Sequence, residues 1–335
     1  MKKLLIIAIA LFSFNASAQD LDLNYERYLI AGKTQAPMII KDYLNPAMVG
    51  LMNTTSSGWY STAKTHKRFG FDITVNLIGA MVPDSDLNFD ISKYDEILID
   101  GKVPTSTTEV ATIMGERGGS QNISSSIYSP VNSAISPNGV GISPLFTPSA
   151  MLQVGFGIGW GTEIKARFVP KLGDRGFEAG LWGVAIQHSV DQYIPVVKRL
   201  PLKISVLAGY TKMNGTWTFN EDDNDWKGSG QHTNFNVQNY TFQLLASTNI
   251  PIINAYGGLG YSKSTASYDM KGEYIIDDHN GHVTTMNDPA KSDWDESGIS
   301  ATIGARLSLA FFKIYADWTF KQYNTATVGI SFSFR

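Results

Sequence analysis

The 335-residue sequence contains no cysteine, so it forms no disulfide and offers no thiolate to a metal or a substrate. Charge is scarce as well. Asp, Glu, Lys and Arg make up 17% of the chain, where a soluble domain has about 25%. Neither sign dominates: 27 Lys+Arg face 30 Asp+Glu, for a formal net charge of -3. A basic stripe able to neutralise phosphates is therefore missing, and nucleic acid is not an expected partner. Long apolar runs are missing too. The longest, Leu4 to Phe14, has 11 residues, whereas a helix needs about 20 to cross a bilayer. No membrane helix is expected.

What the chain does have is aromatic residues, 12% of the total with 15 Tyr, 17 Phe and 7 Trp. The mean hydropathy of -0.09 means that apolar residues alternate with polar ones rather than running together. The N-terminus reads as an export signal. Lys2 and Lys3 precede the apolar run, and Ala16-Ser17-Ala18 supplies the small residues of a cleavage site. Residues 1–18 are expected to be a signal peptide cleaved after Ala18.

From His66 onward the dominant period is two. Ile164, Ala166 and Phe168 alternate with Glu163, Lys165 and Arg167; Val328, Ile330, Phe332 and Phe334 alternate with Thr327, Gly329, Ser331 and Ser333. Half-buried strands have this period and helices do not. Eleven such strands are expected, at 66–82, 86–93, 149–157, 161–170, 176–188, 201–213, 238–250, 252–268, 298–310, 312–322 and 324–334. Many have the length of a tilted membrane-crossing strand, about 9–11 residues, rather than the five or six usual in a soluble sheet. Polar faces of Gly, Ser, Thr and Asn suit a lumen, and apolar faces with aromatics suit lipid. The chain ends Phe332-Ser333-Phe334-Arg335, an aromatic terminal strand of the kind read by the outer-membrane barrel assembly machinery. A soluble sandwich or propeller would also alternate, but with shorter strands and more charge.

Loop lengths set the topology. With the C-terminus in the periplasm, the long segments 214–237 and 269–297 fall on the outer side, as the rule of short periplasmic turns requires. The count of eleven is odd, so a further strand is expected within 53–63 or 94–148. The fold expected is all-β: a closed antiparallel transmembrane β-barrel of about 12, up to 14, strands, in the Gram-negative outer membrane and surrounded by its lipids. Residues 63–335 form this barrel, with an excursion at 94–148. Residues 24–52 show helical spacing broken by Pro37 and Pro46, and 19–62 are expected to fold back as a short helical N-terminal plug.

Candidate chemistry is thin. Glu221-Asp222-Asp223-Asn224-Asp225 fails the calcium-loop spacing, since Lys227 and Asn234 occupy ligand positions. Asp277-Asp278-His279-Asn280-Gly281-His282 reads as an exposed turn. His188-Ser189-Val190-Asp191 holds the residue types of a hydrolytic triad but reads as a turn in which Asp191 opens a short helical stretch. Gly155-Phe156-Gly157-Ile158-Gly159 has no following helix, so its glycines are packing residues. No catalytic residue, cofactor or metal site is expected, and the chain is not expected to be an enzyme.

Two likenesses follow. Tyr43-Leu44-Asn45-Pro46, Gly58-Trp59-Tyr60-Ser61-Thr62-Ala63-Lys64, Gly70-Phe71-Asp72-Ile73-Thr74-Val75 and Asp191-Gln192-Tyr193-Ile194-Pro195, with further stretches across 43–211, resemble an uncharacterised family of Gram-negative outer-membrane barrels. The resemblance implies a barrel and no substrate. Asn45-Pro46-Ala47 is similar to a motif in the N-terminal hatch of the long-chain fatty-acid transporter family. That likeness implies passive uptake of a small hydrophobic compound past the plug. The path is then expected along Tyr43, Leu44, Asn45, Pro46, Val49, Gly50 and Leu51, with movement about Pro46 and Gly50. The alternative is a structural or partner-binding barrel that displays Trp217, Trp226 and Trp294 in its outer loops.

Overall fold

The computed structural model describes residues 25–118, 121–127, 133–141, 146–174, 176–219, 227–277 and 283–334. The signal peptide 1–18, the first plug residues 19–24, the acidic run 221–225, Trp226 and the turn 278–282 lie outside the described residues.

Ten long strands form one antiparallel ring: β1 (Phe71–Met81), β2 (Phe146–Gly159), β3 (Thr162–Asp174), β4 (Phe177–Ser189), β5 (Leu202–Thr218), β6 (Lys227–Thr248), β7 (Ile253–Asp277), β8 (Lys291–Leu309), β9 (Phe312–Phe320) and β10 (Thr325–Phe334). Successive strands pair in order, and β1 meets β10 at the seam, with Ile73 opposite Phe332 and Val75 opposite Ile330. Each strand thus has two neighbours. The ring has ten strands among the described residues rather than twelve, and the parity problem has a simple origin. Residues 86–93 are not wall. Asn88–Asp90 is a short strand paired with Glu109–Ala111, outside the ring. Its three alternating apolar residues mimic a wall strand because Phe89 and Ile91 point into a core. Residues 54–56 end a helix, so no strand lies there either.

The wall is inverted relative to a soluble protein. On β3, Ile164 and Phe168 face outward and are exposed, while Glu163, Lys165 and Arg167 between them are buried. Ile299 on β8 is 83% exposed, and Val184, Leu244 and Leu259 are exposed on their own strands. An apolar exterior around a charged interior is stable only where lipid replaces water outside. Among the described residues no helix is long and apolar enough to cross a membrane; the strands are what cross.

One end of the ring carries the tight connections 160–161, 249–252 and 310–311 and the longer 190–201; the other carries the longest connections, 82–145 and 278–290, alongside the short 175–176 and 321–324. At the long-loop end β6 and β7 run to 22 and 25 residues, well beyond the about 9–11 that span a bilayer. Much of the expected loops 214–237 and 269–297 is therefore strand. Trp217 lies on β5, and Trp294 lies on β8.

Ahead of the ring, a 3-10 turn (Tyr25–Ala31) leads into helix α1 (Gly32–Ser56). Pro37 and Pro46 lie inside this helix without ending it. A mid-helix proline costs about 3 kcal/mol, and here burial on almost every side offsets it. The helix packs against β1, β2, β5, β6, β7 and β8, on the side to which their polar residues point. The described residues between β1 and β2 include short strands over the long-loop end: Ile97–Ile99 pairs with Asn122–Ser125, which pairs with Ser133–Ile135. Phe89, Ile91, Ile97, Val110 and Ile123 from this excursion close a core with Tyr28, Ile39, Ile40 and Tyr43 of the N-terminal segment and with Tyr268, Met270 and Tyr274 of β7.

A lipid-facing wall predicts a depth-dependent penalty for charge. Val184→Arg on β4 is expected to destabilise the folded protein in liposomes by about 2–4 kcal/mol, read by urea unfolding. A change within about 0.5 kcal/mol, as at a water-exposed surface, would contradict a membrane wall.

Candidate functional site

Helix α1 ends inside the ring, and a buried helix terminus leaves carbonyls that need donors. The sequence Asn53-Thr54-Thr55-Ser56-Ser57 supplies several of them itself. Thr55 Oγ1 donates to Leu51 O at 2.8 Å, and Ser56 and Ser57 Oγ both donate to Asn53 O at 2.9 Å. Two cations beside them supply further donors. Arg167 of β3 donates to Ser57 O at 2.7 Å and to Thr55 O at 3.4 Å, and its Nε donates to Gln153 Oε1 at 2.9 Å. Lys321, just beyond β9, donates to Asn53 O at 2.5 Å and to the Ser56 and Ser57 hydroxyls at 2.7 Å. Both sit where the helix dipole is negative. Trp59 is fully buried below this point, with the Arg167 guanidinium 3.6 Å from its ring centroid.

Beside the helix end runs a narrow polar seam of about 10 Å³, lined by Ser56, Ser57, Tyr60, Thr241, Thr302, Asp317 and Lys321, room for roughly one water. Beyond it, at the short-turn end, the lumen opens into a cavity of about 850 Å³. Tyr60 touches both spaces.

The wide cavity is polar and rich in cations. The segment between α1 and β1 is tied to its wall by Glu163 of β3, which accepts from the His66 backbone N–H at 2.9 Å, contacts His66 Nδ1 at 2.9 Å and pairs with Lys165 Nζ at 3.1 Å. His66 Nε2 lies 3.0 Å from Ser333 Oγ on β10. The order hydroxyl, imidazole, carboxylate is that of an activated nucleophile. Here, however, the carboxylate is shared with Lys165 and a backbone amide, which makes it the centre of an ion-pair network joining three elements. His66, Asp72 and Glu163 each place one ligand atom within 4.8 Å of the others, but the Lys165 ammonium already occupies the cation's place beside Glu163. Gly155 makes room for this network: a Cβ there would lie 2.3 Å from Asp72 Oδ1 and 2.7 Å from Glu163 Oε1.

The residues expected to form a ligand path lie elsewhere. Tyr43 is buried and donates from its hydroxyl to Asn138 O at 2.8 Å; Leu44 and Val49 are 2% exposed, and Pro46 is buried. Asn45 accepts from Trp294 Nε1 at 3.1 Å, and Leu51 packs on the same apolar core. Gly50 lets α1 touch β2, since a Cβ there would meet Thr147 Oγ1 at 2.1 Å. All seven belong to α1, and none of them lines the 850 Å³ cavity. Trp294, expected on a display loop, is 6% exposed and lies against the helix, with Lys41 5.5 Å from its ring. His188 contacts Thr162, Gln192 and Tyr193, whereas Ser189 and Lys203 hold Asp191; the four-residue run forms no triad. Arg167, Lys321 and the cavity cations went unassigned in the sequence. Their signal is there in Glu163-Ile164-Lys165-Ala166-Arg167, where three charges share the inward register of one strand.

Glu163 is 2% exposed and Lys165 6%, so removing one partner strands the other. Glu163→Ala is expected to cost about 3–5 kcal/mol in unfolding measurements, and Lys165→Met together with Glu163→Leu distinctly less.

Solved structures similar to this chain include Ail, the attachment invasion locus protein of Yersinia pestis, at 7% identity, covering 80% of this chain and 99% of that one with a TM-score of 0.29. The outer membrane protease OmpT of Escherichia coli is similar at 10% identity, covering 84% and 100%, with a TM-score of 0.34. The translocator domain of autotransporter NalP of Neisseria meningitidis is similar at 10% identity, covering 95% and 100%, with a TM-score of 0.27. No curated protein matches the sequence. A family model does match, over residues 1–334, and by it the chain belongs to the family of unknown function DUF6588.

Proposed function

We propose that this protein is an outer-membrane barrel that mediates passive uptake of a small compound past its N-terminal segment, with helix α1 as the movable plug. The observation that carries the reading is the asymmetry of the helix's seat. Its apolar residues from Ala36 to Met52 are locked into a core shared with the excursion. Its last turn is held by Arg167 and Lys321, through contacts that water can replace. A shift of residues 53–60 would join the polar seam to the 850 Å³ cavity, which the rule of short periplasmic turns puts on the periplasmic side. A hydrophobic cargo, the one the sequence suggests, would meet Tyr43, Leu44, Val49 and Leu51 only when the helix moves about Pro46 and Gly50, because these side chains are packed at rest.

The latch generates the test. Arg167→Ala with Lys321→Ala is expected to raise single-channel conductance in planar bilayers, and deletion of 19–52 to raise it further. Uptake of a hydrophobic dye and of a polar sugar into proteoliposomes then separates the cargo classes. Conductance unchanged in both variants would remove the plug mechanism and leave the partner-binding barrel as the working reading.

A further inference from the structure

The cavity at the short-turn end has a charge composition that the plug mechanism does not use. Its lining includes Lys64, Lys67, Lys165, Arg306 and Lys313 against Asp72 and Glu163, five positive charges to two negative, a net +3 with His66 neutral. Lys165 is paired with Glu163 at 3.1 Å. Among the described residues the side chains of the other four cations make no hydrogen bond or ion pair, and Arg306 Nε is buried without an acceptor.

The four come from separate parts of the chain. Lys64 and Lys67 lie on the segment before β1. Arg306 on β8 stands opposite Tyr315 of β9, and Ser308 stands opposite Lys313, so Arg306 and Lys313 are diagonal neighbours on the inward face. Chance clustering on one helix or loop is therefore not the explanation; the ring converges them. Crowding like charges into a space walled by low-dielectric strands is unfavourable, and a buried guanidinium nitrogen without a partner costs about 1–3 kcal/mol. Both costs vanish if an anion sits among them. The planar guanidinium fork matches phosphate or carboxylate oxygens, and mobile ammonium groups follow the remaining charge.

We infer that this cavity is a binding site for a small polyanion bearing phosphate or carboxylate groups, with Arg306 and Lys313 as the floor and Lys64 and Lys67 as the mobile rim. The Ser308 hydroxyl, in the same lining and buried without a partner, can donate a hydrogen bond to the rest of such a ligand. The site exists with the helix seated, so it stands apart from the uptake mechanism.

The test uses the full chain in detergent at low ionic strength, with pyrophosphate and citrate as probes for the two group types in calorimetric titration. Saturable one-to-one binding of either probe is expected, together with its loss as salt rises. Arg306→Gln and Lys313→Gln are each expected to weaken it by about tenfold or more, the scale of one lost charged hydrogen bond. Lys64→Gln, at an exposed rim position, gives the same direction without touching the wall. Lys291→Gln, beside the separate cavity at the long-loop end, leaves binding unchanged. Pyrophosphate binding alone assigns phosphate, citrate alone assigns carboxylate, and binding of both assigns charge. No saturable binding of either probe overturns the site, as does binding that survives Arg306→Gln with Lys313→Gln.

Discussion

The rest of the structure depends on one electrostatic constraint: a helix that ends inside a ring of strands. Four carbonyls at a helix terminus have no partner in their own chain direction, and within a packed lumen bulk water does not reach them freely. The wall must therefore present donors at that depth. Arg167 and Lys321 stand on opposite parts of the ring and meet at residues 53–57. Because Arg167 is spoken for by the helix, Trp59 can lie flat beneath it, and because Trp59 is fixed there, the chain turns away into the cavity and returns along Glu163 to start β1.

Most of the wall was legible because period-two alternation is a property of each strand alone. Ten of the eleven segments read from the sequence coincide with ring strands. The exception, 86–93, alternates for a local reason: Phe89 and Ile91 are core residues of an excursion, and a short buried strand is indistinguishable by period from a wall strand. Strand ends at the long-loop side were misjudged for a related reason. Beyond the membrane β6 and β7 no longer face lipid, so polar residues such as Ser229, Asn234 and Asp269 occupy positions that look like loop while the ladder continues.

The site was less legible because it is made by closure. Tyr43, Leu44 and Val49 are apolar at helical spacing, which establishes that they are buried but not whether they face a ligand or a core; here they face a core. The groups around the cavity come from the segment before β1, from β3 and from β8 to β10, and only the ring order brings them together. No spacing rule within one segment encodes that meeting. What a single strand does show is charge on an inward register, and in a barrel that is where functional groups are confined, since the outward register belongs to lipid.

The two ends of the lumen therefore differ in how they resist change. At the long-loop end, moving the helix exposes aromatic and aliphatic surface from three elements at once, and that cost scales with area. At the cavity end, the contacts to be broken are hydrogen bonds, several of them from the buried Arg167 and from Lys321, whose donors and acceptors entering water would have to meet again. The seam beside Ser56 and Ser57 has room for roughly one water, and the cavity below for many more. If the helix is the plug proposed above, it would loosen from the short-turn end first, with the upper helix still anchored, and the cationic cavity would be the first space that the loosened segment joined.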